Sequence, residues 1–117
     1  MALAERFEDL EIWQAARVQV KAVYEGMARC RDLSFRDQIQ PAALSVMNNI
    51  AEGFERRTRK DFAHFLDLAK GSCGEVRSLL HAGEDLGYMK ADQAGQLRRS
   101  AEVLSRRIAA FANHLRS

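Results

Sequence analysis

The stretch Ser45-Val46-Met47-Asn48-Asn49-Ile50-Ala51-Glu52-Gly53-Phe54-Glu55-Arg56-Arg57 decides the fold of this 117-residue chain. Val46 and Ile50 lie four residues apart, so they share one face of a helix. Gly53 is predicted to end that helix, because it can take positive φ just past the last turn. Two local rules are broken before it. Asn48 and Asn49 sit inside a helical pattern although Asn competes for backbone hydrogen bonds. Glu52 places an anion in the last turn, where the helix dipole disfavours it by about 0.3–1 kcal/mol. Two readings follow. Glu52 pairs with Arg56 or Arg57 while the Asn pair faces water, or Asn49 and Glu52 form a polar cluster that fixes a helix crossing or a subunit contact.

Working outward, the pattern is helical throughout. Leu10, Trp13, Ala16, Val20, Val23, Tyr24 and Met27 recur at three and four and predict a first helix from near Asp9. Phe7 before the cap and Trp13 after it form a candidate staple. Ser34 with Asp37 resembles a capping box. Pro41 either begins a helix or sits inside one. Ile39, Ala43, Val46 and Ile50 keep their spacing across it, which favours one bent helix over 35–52. Thr58 with Asp61 signals the start of a third helix over about 59–86. Its stripe is Phe62, Phe65, Leu66, Ala69, Cys73, Val76, Leu80, Gly83 and Leu86. Gly71, Ser72 and Gly74 predict a close approach by another helix. Gly87 reads as a left-handed cap. In the fourth helix, from Asp92, the seam Ala94, Leu97, Ala101, Leu104, Ile108, Phe111 and Leu115 is unbroken. Four such helices with short connections specify one domain over 1–117, an all-α, antiparallel, up-and-down four-helix bundle.

Composition narrows the function classes. The chain is 47% hydrophobic and 29% charged, which suits one packed core. Its net charge of +2 hides an asymmetry, since residues 90–117 carry six basic and two acidic side chains. Such a segment suits a polyanionic partner or a solvated basic face. Cys30 and Cys73 form no CxxC pattern, and His64, His81 and His114 have no zinc spacing. No phosphate loop, nucleophile elbow or HExxH motif is present, and the di-iron carboxylate set is missing. No apolar run approaches a membrane span or a signal peptide. These observations lead us to expect a cytoplasmic protein that is not an enzyme and carries no cofactor or metal.

The basic residues are the candidate site. Arg56, Arg57, Arg59 and Lys60 crowd the start of the third helix, where free backbone N–H groups also favour anions. Arg98, Arg99, Arg106 and Arg107 lie off the fourth-helix seam. Aromatics are not interleaved with them, so backbone contact with structured RNA or duplex DNA fits better than base stacking. The competing class is a protein-interaction scaffold whose arginines keep the surface solvated.

The whole chain also resembles the four-helix-bundle proteins encoded in intervening sequences of bacterial 23S rRNA genes. Phe7-Glu8-Asp9-Leu10 with Trp13-Gln14 resembles the family's opening. Ser45 and Asn49-Ile50-Ala51-Glu52-Gly53-Phe54 resemble its central signature, with Asn49, Glu52 and Gly53 as structural positions. Phe62, Phe65-Leu66, Ala69, Gly71-Ser72, Glu75 and Leu86-Gly87-Tyr88 resemble the third-helix pattern. The chain departs from the family at Met47, where Pro is common, and at Gln40-Pro41, where a basic pair is common. The resemblance implies a ring-like homopentamer. It also implies kinship with the accessory variability determinant of diversity-generating retroelements, a pentamer that binds nucleic acid and a reverse transcriptase. No catalytic residues come with it.

Overall fold

A computed structural model describes residues 4–117, and these form four helices joined by short connections. A single 3-10 turn, Phe7–Asp9, leads into α1 (Glu11–Gly26). Then come α2 (Leu33–Phe54), α3 (Arg59–Asp85) and α4 (Ala91–Arg116). Contacts between α3 and α4 run in opposite directions along the two sequences: Arg59 meets Leu115, Arg77 meets Glu102 and Glu84 meets Arg98. The result is an antiparallel bundle measuring 45 × 21 × 19 Å.

The core forms where the apolar stripes meet. Ala16, Val23 and Met27 of the first segment pack with Ile39, Ala43, Val46 and Ile50. Leu66, Ala69, Cys73, Val76 and Leu80 of α3 and Ala94, Ala101, Leu104 and Ile108 of α4 complete it. Small residues alternate with branched ones at these positions, so the helices interdigitate closely.

Several local expectations need correction. The first helix begins at Glu11, because Phe7–Asp9 closes a 3-10 turn first; the expected Phe7–Trp13 pair is nevertheless made, with ring centroids 5.2 Å apart. The second helix is capped by Asp32, whose Oδ1 accepts from the Phe35 N–H, and not by Ser34. It runs unbroken from Leu33 through Pro41, whose ring is exposed and leaves the Asp37 carbonyl without its usual amide donor. Tyr24 and Leu86, expected on apolar stripes, are exposed, whereas Ile12, Gln19 and Ala63 are buried.

Gly53 is the largest correction. It is not a left-handed cap, since among the described residues only Gly87 has positive φ, at 77°. It lies inside α2 and is buried. A Cβ there would stand 2.8 Å from the Phe65 Cβ and 2.9 Å from the Phe62 Cδ1. Gly53 is therefore required by the approach of α2 to α3. Conversely, a Cβ at Gly71 or Gly74 would meet nothing within 4 Å, so within this chain neither glycine marks a close crossing. Gly87 does what its sequence context predicts. The Tyr88 N–H reaches the Gly83 carbonyl and the Gly87 N–H reaches that of Glu84, a Schellman closure of α3.

Candidate nucleic-acid interface

The basic side chains at the start of α3 are set out by its cap. Thr58 Oγ1 accepts from the Asp61 N–H at 3.0 Å and fixes where the helix begins. Arg56, just before it, pairs with Glu52 at 3.1 Å and lies 4.6 Å from the Phe65 ring centroid. Arg59 donates to the carbonyls of His114 and Leu115 at the end of α4, the first of which also accepts from Ser117. Arg57 and Lys60 are exposed and pair with no carboxylate among the described residues.

The arginines of α4 diverge. Arg98 turns to α3 and holds Glu84 at 2.7 Å, half-buried. Arg107 turns to α1 and holds Glu11 at 2.6 Å. Arg106 stands 3.9 Å from Glu102, which also meets Arg77 at 3.4 Å. Arg99 is exposed and has no carboxylate partner among the described residues. The two ends of the proposed set are also far apart. Arg59 contacts Leu115, and Arg98 lies seventeen residues before Leu115, about 25 Å along the helix axis. The eight predicted residues thus do not form one patch. Arg57 and Lys60 share one bundle end, and Arg99 points out near the other.

The signature positions are likewise separated. Asn49 Nδ2 donates to the Ser45 carbonyl at 2.9 Å and to Ser45 Oγ at 3.0 Å. Ser45 Oγ and Ser72 Oγ are 2.8 Å apart, which extends this polar chain across α2 and α3. Glu52 belongs to the exposed pair with Arg56 and not to that chain. Asn49 is therefore the helix-crossing residue of the two.

Three features were not anticipated. Tyr88 Oη donates to Asp32 Oδ2 at 2.6 Å, joining two connections at one end of the bundle. This bond, together with the Phe35 N–H, holds the Asp32 carboxyl below its ordinary pKa and pushes the Tyr88 hydroxyl above its own. Asp32 beside an apolar run is a cap signal the sequence does carry. Gln19 is buried between α1 and its neighbours; its Nε2 donates to Cys73 Sγ at 3.9 Å, and its Oε1 has no partner. Cys73 in turn donates to the Ala101 carbonyl at 3.3 Å, and burial pushes its thiol pKa up. Both cysteines are free and buried, so neither has the electropositive, accessible surroundings of a reactive thiol. The third feature is an apolar groove along the α1–α4 seam, with Val18 and Val103 exposed on its lips.

Among the described residues no cluster of three or more His, Cys, Asp or Glu side chains could hold a metal ion. No described helix is long and apolar enough to cross a membrane.

The sequence model of the 23S rRNA-intervening sequence protein family matches residues 8–110. The chain belongs to that family. The match covers the first three helices and most of α4, including the segment around Asn49 and Gly53. A crystal structure of a protein of unknown function from the S23 ribosomal protein family of Bacteroides thetaiotaomicron has the same fold, with a TM-score of 0.79. The two chains are 16% identical, and the alignment covers 86% of this chain and 97% of that one. At that identity the likeness speaks for the fold. No curated protein matches the chain.

Proposed function

We propose that this member of the 23S rRNA-intervening sequence family is a non-enzymatic, cytoplasmic homo-oligomer that binds the backbone of structured RNA or duplex DNA. The observation that carries the reading is the start of α3, where Arg57 and Lys60 present charges that no carboxylate of the described chain neutralises. Arg99 keeps a further free charge near the other end of the bundle, outside that pair. A ring, with the homopentamer as the favoured form, would repeat this small patch about one axis, so weak sites would add through avidity. Two free buried thiols suit a reducing compartment.

The second reading is a protein-interaction scaffold, or an accessory subunit to a partner such as a reverse transcriptase. It is favoured by the engagement of Arg56, Arg98, Arg106 and Arg107 with carboxylates of the same chain. A gel-shift titration with a structured RNA and a DNA duplex at low and physiological salt separates the two. Backbone binding should weaken steeply as salt rises, and Arg57→Ala with Lys60→Ala should flatten that dependence. Absence of binding at low salt would leave the scaffold.

A further inference from the structure

Helices α1 and α4 leave a groove of about 520 Å³ between them, because several of the side chains that line it are short. Ala15 and Ala22, one turn before and one turn after Gln19, offer only methyl groups, and Ser100 adds another small side chain from α4. Leu97 and Leu104 wall the α4 side. Val18 and Val103 form the lips, 69% and 46% exposed. Small-molecule sites typically occupy about 300–1,000 Å³, are mostly apolar with a few polar groups, and are often built between the helices of a bundle. Arg107 closes one end of the groove and is held by Glu11 at 2.6 Å. Arg99 stands at the other end in water. The apolar middle therefore offers no buried charge.

Gln19 is the exception in this lining. It is only 7% exposed, so its amide has left water. Nε2 has one bond, the 3.9 Å contact to Cys73 Sγ, and sulfur is a weak acceptor. Oε1 has no partner among the described residues. The Cys73 thiol spends its proton on the Ala101 carbonyl at 3.3 Å and offers none to Gln19. Buried polar groups in native proteins are nearly always paired, so an unmet amide oxygen beneath a groove calls for a donor. A leucine would fill this place on the α1 stripe without that cost.

We infer that the α1–α4 groove binds a small, neutral, largely apolar molecule that donates one N–H or O–H hydrogen bond to Gln19 Oε1. The last torsion of a glutamine side chain is broad, so turning the amide toward the groove costs little. The bond given up in the turn is the weak one to sulfur. The body of the ligand would cover Ala15, Ala22 and Leu104 and take the lips at Val18 and Val103 out of water. Neutrality follows from the lining, where the one arginine that closes the groove is already neutralised by Glu11. The rival partner for Oε1 is a water molecule, which would need no apolar groove above it. The site lies within one chain and uses none of the free charges, so it stands apart from the nucleic-acid and oligomer readings.

The experiment is isothermal titration calorimetry of the full chain with indole and with benzofuran, each taken to its solubility limit, and circular dichroism on every variant. The two probes share one bicyclic shape, but the benzofuran oxygen donates nothing where indole has its N–H. Wild type should bind indole at least about tenfold more tightly than benzofuran. Gln19→Leu should lose that preference. Val103→Trp, which lays a ring over the groove from an exposed position, should weaken indole binding at least about tenfold with helix content unchanged. No indole binding by wild type would overturn the site and leave water as the partner of Oε1. Equal binding of the two probes by wild type, or a preference for indole that survives in Gln19→Leu, would overturn the hydrogen bond. Indole binding indifferent to Val103→Trp would overturn the groove as its place. Should Gln19→Leu fail to fold, the probe pair on wild type and Val103→Trp still decide.

Discussion

Tyr88 and Asp32 lie 56 residues apart in sequence, yet the Tyr88 hydroxyl donates to Asp32 Oδ2 at 2.6 Å. The same carboxylate caps α2 through the Phe35 N–H, and the Tyr88 ring packs edge-on to Phe35 at 5.1 Å. One side chain therefore starts α2 and ties the α1–α2 connection to the α3–α4 connection.

This bond has a pH signature. The Asp32 carboxyl is more acidic when folded than when unfolded. Its stabilisation is thus fully present above the ordinary aspartate value of about 3.9 and is lost as pH falls through the lowered value. The Tyr88 hydroxyl shifts the other way, so its share is present below its ordinary value of about 10 and is lost as pH rises through the raised one. Thermal unfolding of Tyr88→Phe should show a lower melting temperature at neutral pH and a smaller further loss in acid than wild type. Asp32→Ala should be worse at neutral pH, since it removes the cap as well. Equal acid sensitivity of Tyr88→Phe and wild type would refute this account.

Gly53→Ala should destabilise the protein by about 1–3 kcal/mol, because a methyl group there runs into Phe65 and Phe62. Gly74→Ala should be neutral or stabilising by up to about 1 kcal/mol, as expected for a helical glycine in open space. Urea unfolding of the two variants should therefore move in opposite directions.

Asn49→Ala should cost about 1 kcal/mol, since it strips two donated hydrogen bonds from the Ser45–Ser72 crossing. Glu52→Ala should change stability by no more than about 0.5 kcal/mol, because its pair with Arg56 is exposed on both sides. Chemical denaturation resolves a difference of that size; a larger effect at Glu52 than at Asn49 would reverse the assignment.

Arg59 and Arg57 are neighbours in sequence with different duties. Arg59→Ala should lower stability by about 1 kcal/mol or less, as the Leu115 carbonyl loses its side-chain donor while the His114 carbonyl keeps Ser117. Arg57→Ala should leave the melting temperature unchanged and act only on nucleic-acid binding. Parallel melting and gel-shift measurements on the two variants check this division.

The helices were legible because their periodicity is a local property. The fourth-helix seam from Ala94 to Leu115 is buried or half-buried at every predicted position. Gly53 shows where local reading stops. Its sequence announces that a side chain is unwelcome, but positive φ and close helix approach make the same announcement, and only the position of Phe62 and Phe65 separates them. The basic residues show a second limit. Whether Arg98 or Arg107 keeps a free charge depends on Glu84 and Glu11, which come from other helices and have no fixed sequence offset. Arg57, Lys60 and Arg99 cannot be distinguished from their paired neighbours by spacing.

The open α1–α4 seam bears on the order in which the molecule assembles. Packing of α1 on α2, α2 on α3 and α3 on α4 joins consecutive helices, whereas only the closure of α1 on α4 brings the two ends of the chain together. Loop-closure entropy penalises that step most, and its grooved interface returns the least for it. The α2–α3–α4 unit should therefore form first, with α1 docking last and leaving first. Native-state hydrogen exchange gives this a direct reading: the amides around Val18 should open at lower free energy than those around Cys73.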